Sequence, residues 1–534
     1  MKNFIIVITL LCLAKNADAQ TWQWATKAGG TGNDYSNEIE VDPLGNSYIT
    51  GTFKDSISFG STKLVSPGVS AVYIAKYNVI GSLLWAKIAS KCSAIDVNGI
   101  CLDLSGNISI VGHYFGTASF GTSIPITFTS SGSYDIYVAK YNNNGDIVWA
   151  KSFGGIGIDY TGGVSNDNNG NLYLTGDFHI TSFPYSSSKI FIAKYDSLGN
   201  NSWTKTEVNY GYSHLGNGIK TDLFGNSYVT GDFFNTIKFN ISDSVSAGNI
   251  ESNIFIVKFD SFGNFVWGEK AGAGSGYCVG KAIDIDATGN AYITGFYRGT
   301  ISFGGQNITG TSGLAYDVYI AKCNGSGNFA WVNKSIGPGN PTCISLDNFG
   351  NVFVSGNFNQ PIQFGANTLT GAGNNDIFIT ELNQAGNFIW STSCGGIQND
   401  FILGATKASS TGIYLSGYFT NTIYFGASFS LTDTSNTKSD IFIAKLNNIL
   451  TDISEYEVKG SFSLYPNPTK GEFSIDLSSD MAEITVFDML GQQVLNTQTT
   501  SMTTLLKLNN SGAFIVYIKS RSGTSRQKLI VNDY

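Results

Sequence analysis

Asp222-Leu223-Phe224-Gly225-Asn226-Ser227-Tyr228-Val229-Thr230-Gly231-Asp232-Phe233 is one copy of a pattern that recurs through most of the chain. An Asp-x-x-Gly turn leads into a short segment carrying an aromatic, then a Gly, then a second aromatic two residues on. The turn recurs at Asp42/Gly45, Asp103/Gly106, Asp167/Gly170, Asp286/Gly289 and Asp347/Gly350. The Gly and trailing aromatic recur at Gly51/Phe53, Gly112/Tyr114, Gly176/Phe178, Gly295/Tyr297, Gly356/Phe358 and Gly417/Phe419. A third segment follows, close to Ile-Phe-Ile-Ala-Lys-Tyr-Asn, as at residues 190–196. A second Asn/Asp-x-x-Gly turn then leads to a segment with a Trp. Trp24, Trp85, Trp149, Trp203, Trp267, Trp331 and Trp390 stand 54 to 64 residues apart, the period of one copied supersecondary unit.

The turn residues have a mechanism. Asp or Asn bonds the backbone two residues on, and Gly takes the left-handed conformation that closes a hairpin. Two such hairpins per unit predict four antiparallel strands, the third apolar along its length and therefore buried on both faces. Sheets of this kind are stable when arranged radially, each covering the next. The fold class expected is all-β: a seven-bladed β-propeller over residues 20–448, followed by a smaller β-domain. The ends fit each other. The seventh unit stops after its third strand, near residues 441–447, and residues 22–27 read as a fourth strand with no unit before it. Residues 21–28 are expected to complete the seventh sheet and remove its open edge.

The 534 residues exceed one ordinary core, and the charge of −8 disfavours nucleic acid as a partner, with no Lys/Arg run to override it. Residues 1–19 read as a secretory signal: Lys2, an apolar run over residues 4–13, and Ala17-Asp18-Ala19 as cleavage site. That run is too short to span a bilayer, and no other segment is long enough, so no transmembrane segment is expected. Of the cysteines outside the signal, Cys92 and Cys101 are the best-placed pair; small buried thiols are the preferred reading.

Residues 449–460 read as a linker. Leu464-Tyr465-Pro466-Asn467-Pro468-Thr469-Lys470-Gly471 opens the last segment. It is followed by Gly491 in a second block, by Gly512-Ala513-Phe514-Ile515-Val516, and by Lys528-Leu529-Ile530-Val531. Period-two strands between Gly turns predict a small Ig-like β-sandwich over residues 461–534.

The repeat resembles that of bacterial seven-bladed β-propeller repeat proteins, with local departures: Ser109 stands for the usual Tyr and Glu381 for the third-strand Lys. The C-terminal blocks resemble the sorting domain of the type IX secretion system. That resemblance implies a bacterium of the Bacteroidota type, the type IX secretion machinery as partner, and export across both membranes to the medium or the cell surface. Pro466, Asn467, Pro468, Gly471, Gly491, Gly512 and Lys528 carry the sorting motif.

Function is expected where units differ, on the face bearing the longer fourth-to-first and second-to-third connections. Gly-Gly-x-Gly-x-Asp-Tyr at residues 29–35 and 154–160, with a relative at 395–401, nominates Asp34, Asp159 and Asp400 as ligand contacts. The competing reading is a Gly-rich turn whose Asp bonds its own backbone, and one Asp per unit is too few for a hard cation. The loop containing Glu207, Tyr210, Tyr212 and His214 is the other candidate, suited to sugar or peptide. Asp177 and Asp232 occupy equivalent positions in adjacent units, but a spacing of about 10 Å between packed sheets is at the limit for paired-carboxylate catalysis. Three histidines without zinc spacing imply no metal centre, and no cofactor motif or nucleophile elbow is present. The third-strand lysines are expected to lay their stems along the sheets with ammonium groups at the rim. The expected function is a surface or secreted adhesion propeller binding a glycan or a protein. An exported polysaccharide hydrolase or lyase and a structural envelope component are the alternatives.

Overall fold

The computed structural model describes residues 20–447 apart from 183–184, 209–213, 241, 243, 248–250, 274–275, 312–314, 409–411 and 434–437. It also describes 462–532 apart from 478–481, 489–492 and 521–522. The stretches expected to be a signal and a linker, together with Tyr210, Tyr212 and Gly491, lie outside the described residues. The chain forms two compact units, Ala19–Ile449 and one that includes Leu450–Tyr534.

In the larger unit, four-stranded antiparallel ladders recur seven times among the described residues. The fourth copy is Leu215–Thr221, Ser227–Phe234, Ser252–Phe259 and Phe265–Ala273, here termed inner, second, third and outer strands. The turns close as their residues dictate. Asp222 Oδ1 accepts the amides of Phe224 and Asn226, Gly225 sits at φ +78°, and Asn226 Nδ2 donates to Asp222 Oδ2 at 2.8 Å. Third strands are buried along nearly their whole length, as in Asp376–Leu382.

The ladders form a ring. Each inner strand packs against those before and after it, and the last, Asp400–Ala408, packs against the first, Tyr35–Val41. The seventh ladder takes its outer strand from the beginning of the chain: Thr21–Gly30 pairs with Asp440–Asn447, with Trp24 opposite Lys445 and Lys27 opposite Phe442. Every inner strand carries a β-bulge at the same place, so Asn37, Asn98, Gly162, Asn217, Lys281, Thr342 and Leu403 are each skipped in the register. All seven line an axial channel of about 500 Å3.

The repeated Trp rivets neighbouring ladders. The rings of Trp24, Trp149 and Trp203 lie against Gly81, Gly199 and Gly263, left-handed turn glycines of the next ladder, where a Cβ would come within 2.6–2.8 Å of the indole. Their Nε1 groups donate to turn carbonyls of Val79, Ser197 and Ser261 at 3.1–3.2 Å. Trp390 precedes the seventh ladder, whose third and outer strands come from opposite ends of the described propeller rather than from one tight turn. Its Nε1 donates instead to Glu381, which accounts for Glu at a Lys position.

The ammonium groups of Lys76, Lys194, Lys258, Lys322 and Lys445 lie 4.7–5.0 Å from the centroids of second-strand tyrosine rings. Where Ser109 replaces that Tyr, Lys140 turns to Asp103 at 3.0 Å. Cys92 and Cys101 are unpaired buried thiols, and the Cys92 thiol donates to the Phe115 carbonyl.

The second-to-third connections are hairpins that reach back onto the preceding ladder. Thr117–Phe120 pairs with the outer strand Leu83–Cys92, Thr300–Phe303 with Phe265–Ala273, and Ile362–Phe364 with Phe329–Pro338.

The C-terminal unit has a three-stranded and a four-stranded sheet. Phe473, Ile475, Ile484, Val486, Val516 and Leu529 form its buried core. Its motif residues are built in: Asn467 Oδ1 accepts the Ile530 amide at 2.9 Å, Thr469 and Asn532 bond the same strand and turn, and Gly471 and Gly512 have positive φ.

Candidate functional site

Inner strands start, and second strands end, on the face of the ring that bears the long connections. Just before each bulge, one inner-strand residue faces one second-strand residue across the ladder. The pairs are Tyr35/Thr52, Asp96/His113, Tyr160/Asp177, Leu215/Asp232, Val279/Phe296, Asn340/Asn357 and Phe401/Tyr418. The second-strand member always stands between the repeated Gly and the repeated aromatic. Its neighbours are fixed by the fold; it is not. These pairs ring the mouth of the channel, and the sequence pattern masked them because attention falls on what repeats.

One side of the mouth is charged. His179 Nε2 meets the Asp177 carboxylate at 2.7 Å; burial raises the Asp177 carboxyl, and the hydrogen bond donated to Asp177 raises the imidazole. Asp232 accepts from the bulge residue Asn217 at 3.0 Å, and burial pushes its carboxyl up to about 7. Asn98 Oδ1 meets His113 Nδ1 at 3.0 Å, and burial lowers that imidazole to about 4. Asp177 and Asp232 are thus each held by a separate partner.

The other side is aromatic. Tyr277 and Phe296 are near-parallel with centroids 6.4 Å apart, and Tyr316 stands edge-on to both at 5.7 and 5.2 Å. Phe401 stacks on Tyr418 at 5.1 Å, and Tyr418 meets Tyr35 edge-on. A groove of about 580 Å3 runs from Tyr277 and Tyr316 past Gly339 and Asn340 to Phe401.

The nominated residues Asp34, Asp159, Asp400 and His214 stand one position before the mouth residues Tyr35, Tyr160, Phe401 and Leu215, but they are buried. Glu207 and His214 do not face solvent: both are buried, the imidazole Nδ1 meets the carboxylate at 2.8 Å, and Nε2 meets the Phe234 carbonyl at 2.8 Å. They brace the entry to the fourth ladder from beneath. Asp34, Asp159 and Asp400 are buried as well. Asp159 and Asp400 accept the amides of Gly155 and Gly396 at 2.7 and 2.6 Å, the local turn that the alternative reading described. The Gly-rich motif has a further cause. A Cβ on Gly154 would fall within 2.8 Å of both Asp135 and Asp159, and on Gly395 within 1.7 Å of Asp376. Pairs of buried carboxylates therefore meet under these loops. Among the described residues no three metal-ligating side chains converge, and no helix is long and apolar enough to cross a membrane.

Residues 463–532 match the secretion system C-terminal sorting domain family, and residues 23–52 match the beta-propeller repeat family. An uncharacterised WD repeat-containing protein of Acanthamoeba polyphaga mimivirus is 23% identical over 434 residues. The match covers 63% of this chain and 31% of that protein, so the chain spans about a third of the length of the relative. Among solved structures, PorZ, an essential surface component of the type-IX secretion system of Porphyromonas gingivalis, aligns at 9% identity and TM-score 0.17. The alignment covers 95% of this chain and 100% of PorZ. The extracellular domain of a hybrid two-component system from B. thetaiotaomicron aligns at 10% identity and TM-score 0.20, covering 96% and 100%. The chain therefore carries a β-propeller repeat at residues 23–52 and, at residues 463–532, the C-terminal sorting domain of the type IX secretion system, which directs it across the outer membrane to the cell surface or the medium.

Proposed function

We propose that the exported propeller is a binding protein that engages an extracellular glycan or protein ligand through the mouth on its long-connection face. One observation carries this reading: at the mouth, the position between the repeated Gly and the repeated aromatic is occupied in turn by Thr52, His113, Asp177, Asp232, Phe296, Asn357 and Tyr418, although both of its neighbours are fixed by the repeat. A rigid ring with chemically distinct residues at seven equivalent points is a recognition surface, since loops and strand ends on a stiff scaffold carry specificity. The test is a binding screen of the full mature chain against immobilised glycans and surface proteins, with product analysis in parallel. Binding without turnover supports the proposal.

A hydrolase reading has one observation in its favour, the Asp232 carboxyl near neutrality beside Asp177. Release of shorter saccharides that is lost in Asp232→Asn would replace the binding reading with that one. Silence in both assays would leave a structural envelope role.

A further inference from the structure

Resting on that binding reading, we infer that the groove beside the fifth, sixth and seventh ladders holds an uncharged oligosaccharide. A pyranose ring lies on Tyr277, and its hydroxyls meet the exposed amides of Asn340, Asn359 and Gln360. The groove, at about 580 Å3, is within the range of small-ligand sites. Its aromatic wall is held in place rather than free to collapse. Tyr277, Phe296 and Tyr316 contact one another, the Lys281 ammonium lies 5.6 Å from the Phe296 centroid, and the Arg298 guanidinium 5.5 Å from that of Tyr316. A half-buried, pre-positioned ring offers a flat apolar face to the C–H side of a sugar with little ordering cost.

The polar side of the groove fits hydroxyls. Asn357 is already committed, its amide donating to the Ile402 carbonyl and accepting the Ile402 amide. Asn375 donates to Asn399. Asn340, Asn359 and Gln360 are exposed at the groove. Each amide presents two N–H donors and a carbonyl acceptor in one plane, the complement of neighbouring sugar hydroxyls, which both donate and accept. No carboxylate lines the groove among the described residues; of the cations at its wall, Lys281 packs on Phe296 and acts on the Asp232 carboxyl, and Arg298 packs on Tyr316. A basic ligand therefore gains no anion, and an anionic sugar must draw Lys281 from Asp232 or Arg298 from the Tyr316 ring.

An extended peptide fits less well. Strand addition needs open backbone groups at a sheet edge. Here the Gly339 amide is bonded to the Tyr316 carbonyl at 3.0 Å, and the Ile402 amide to Asn357.

The experiment is titration of the full mature chain with cellotetraose, mannotetraose and chitotetraose, and with tetragalacturonate as the acidic counterpart. At least one neutral tetrasaccharide is expected to bind in preference to tetragalacturonate. Tyr277→Ala should weaken it about tenfold or more, Tyr277→Phe should restore most of the affinity, and both variants should melt within a few degrees of the parent. Asn359→Ala combined with Gln360→Ala alters only exposed side chains and serves if Tyr277→Ala fails to fold; it too should weaken binding about tenfold. A neutral sugar bound equally well by these variants overturns the groove while leaving glycan recognition standing. Preference for tetragalacturonate overturns the charge argument. A chain that binds proteins and no sugar overturns the ligand class but keeps the binding reading, and a chain that binds nothing overturns both.

Discussion

At the scale of single residues, burial decides what polar groups do. Glu207 and His214 flank a stretch whose composition reads as exposed, yet both are out of solvent, with the imidazole held between the Glu207 carboxylate and the Phe234 carbonyl. Composition carries no trace of that burial, so the pair is readable as chemistry but not as structure. A buried hydrogen-bonded pair is costly to break from one side, because the survivor keeps a buried polar group without its partner. Glu207→Ala is expected to cost about 1–3 kcal/mol in chemical denaturation, and Glu207→Leu with His214→Phe together distinctly less than the two single losses added. Additive losses would contradict the pairing. The Trp rivets give a second prediction. Gly263 has φ +80°, and a Cβ there would stand 2.8 Å from the Trp203 ring. Gly263→Ala should therefore cost at least about 1–2 kcal/mol for the backbone alone and also shift the tryptophan emission. An unchanged melt would mean that indole and turn are not in contact.

At the scale of elements, the repeat was legible because turn chemistry and strand periodicity point to the same four strands. The complementarity of residues 22–27 with an incomplete last unit was also visible, and the register of Thr21–Gly30 against Asp440–Asn447 gives it atomic form. The back-reaching hairpins were not visible. Their sequences are short, vary between units and carry no period, and their partner strand lies in the preceding ladder. The inner-strand bulges escaped notice for a similar reason: a skipped residue changes pairing without changing the hydrophobic pattern. Trp22 is buried against Phe425 at 4.9 Å, and Ala28 lies in the core of the first ladder's side. Deleting residues 20–28 removes both and opens the edge of Asp440–Asn447. The loss is expected to exceed about 5 kcal/mol, whereas deletion within an exposed turn should cost far less. Equal melting temperatures for the two deletions would refute closure by the first strand. The C-terminal sheet pair, by contrast, should be separable in function: without residues 461–534 the propeller should accumulate in the periplasm, measured by cell fractionation.

At the scale of the whole molecule, buried acids govern how the ring responds to pH. The sequence marked Asp34 and Asp400 but carries no sign that Asp440 and Asp376 lie beside them, since each partner opens the third strand of the preceding ladder. Burial, and then the neighbouring Asp440 or Asp376, pushes the carboxyls of Asp34 and Asp400 up to about 8; burial pushes Asp232 to about 7. All three are raised above the ordinary value of 3.8. Between about pH 4 and pH 8 the folded ring thus holds protons that the unfolded chain has released. Stability from these groups is complete below pH 4 and is lost as pH rises through 7 to 8. His113, lowered to about 4, acts the other way below its ordinary value of 6.5, but it is one group against three. The melting temperature is therefore expected to fall from pH 5 to about pH 8 and to level off above it. Asp400→Asn keeps the shape and removes the charge that ionisation would place next to Asp376. That variant should match the parent near pH 5, exceed it at pH 8.5, and show a shallower slope between. A parent whose stability is flat or rises over this range, or an Asp400→Asn variant that is weaker at every pH, would show that the paired acids are not sharing protons in the folded ring.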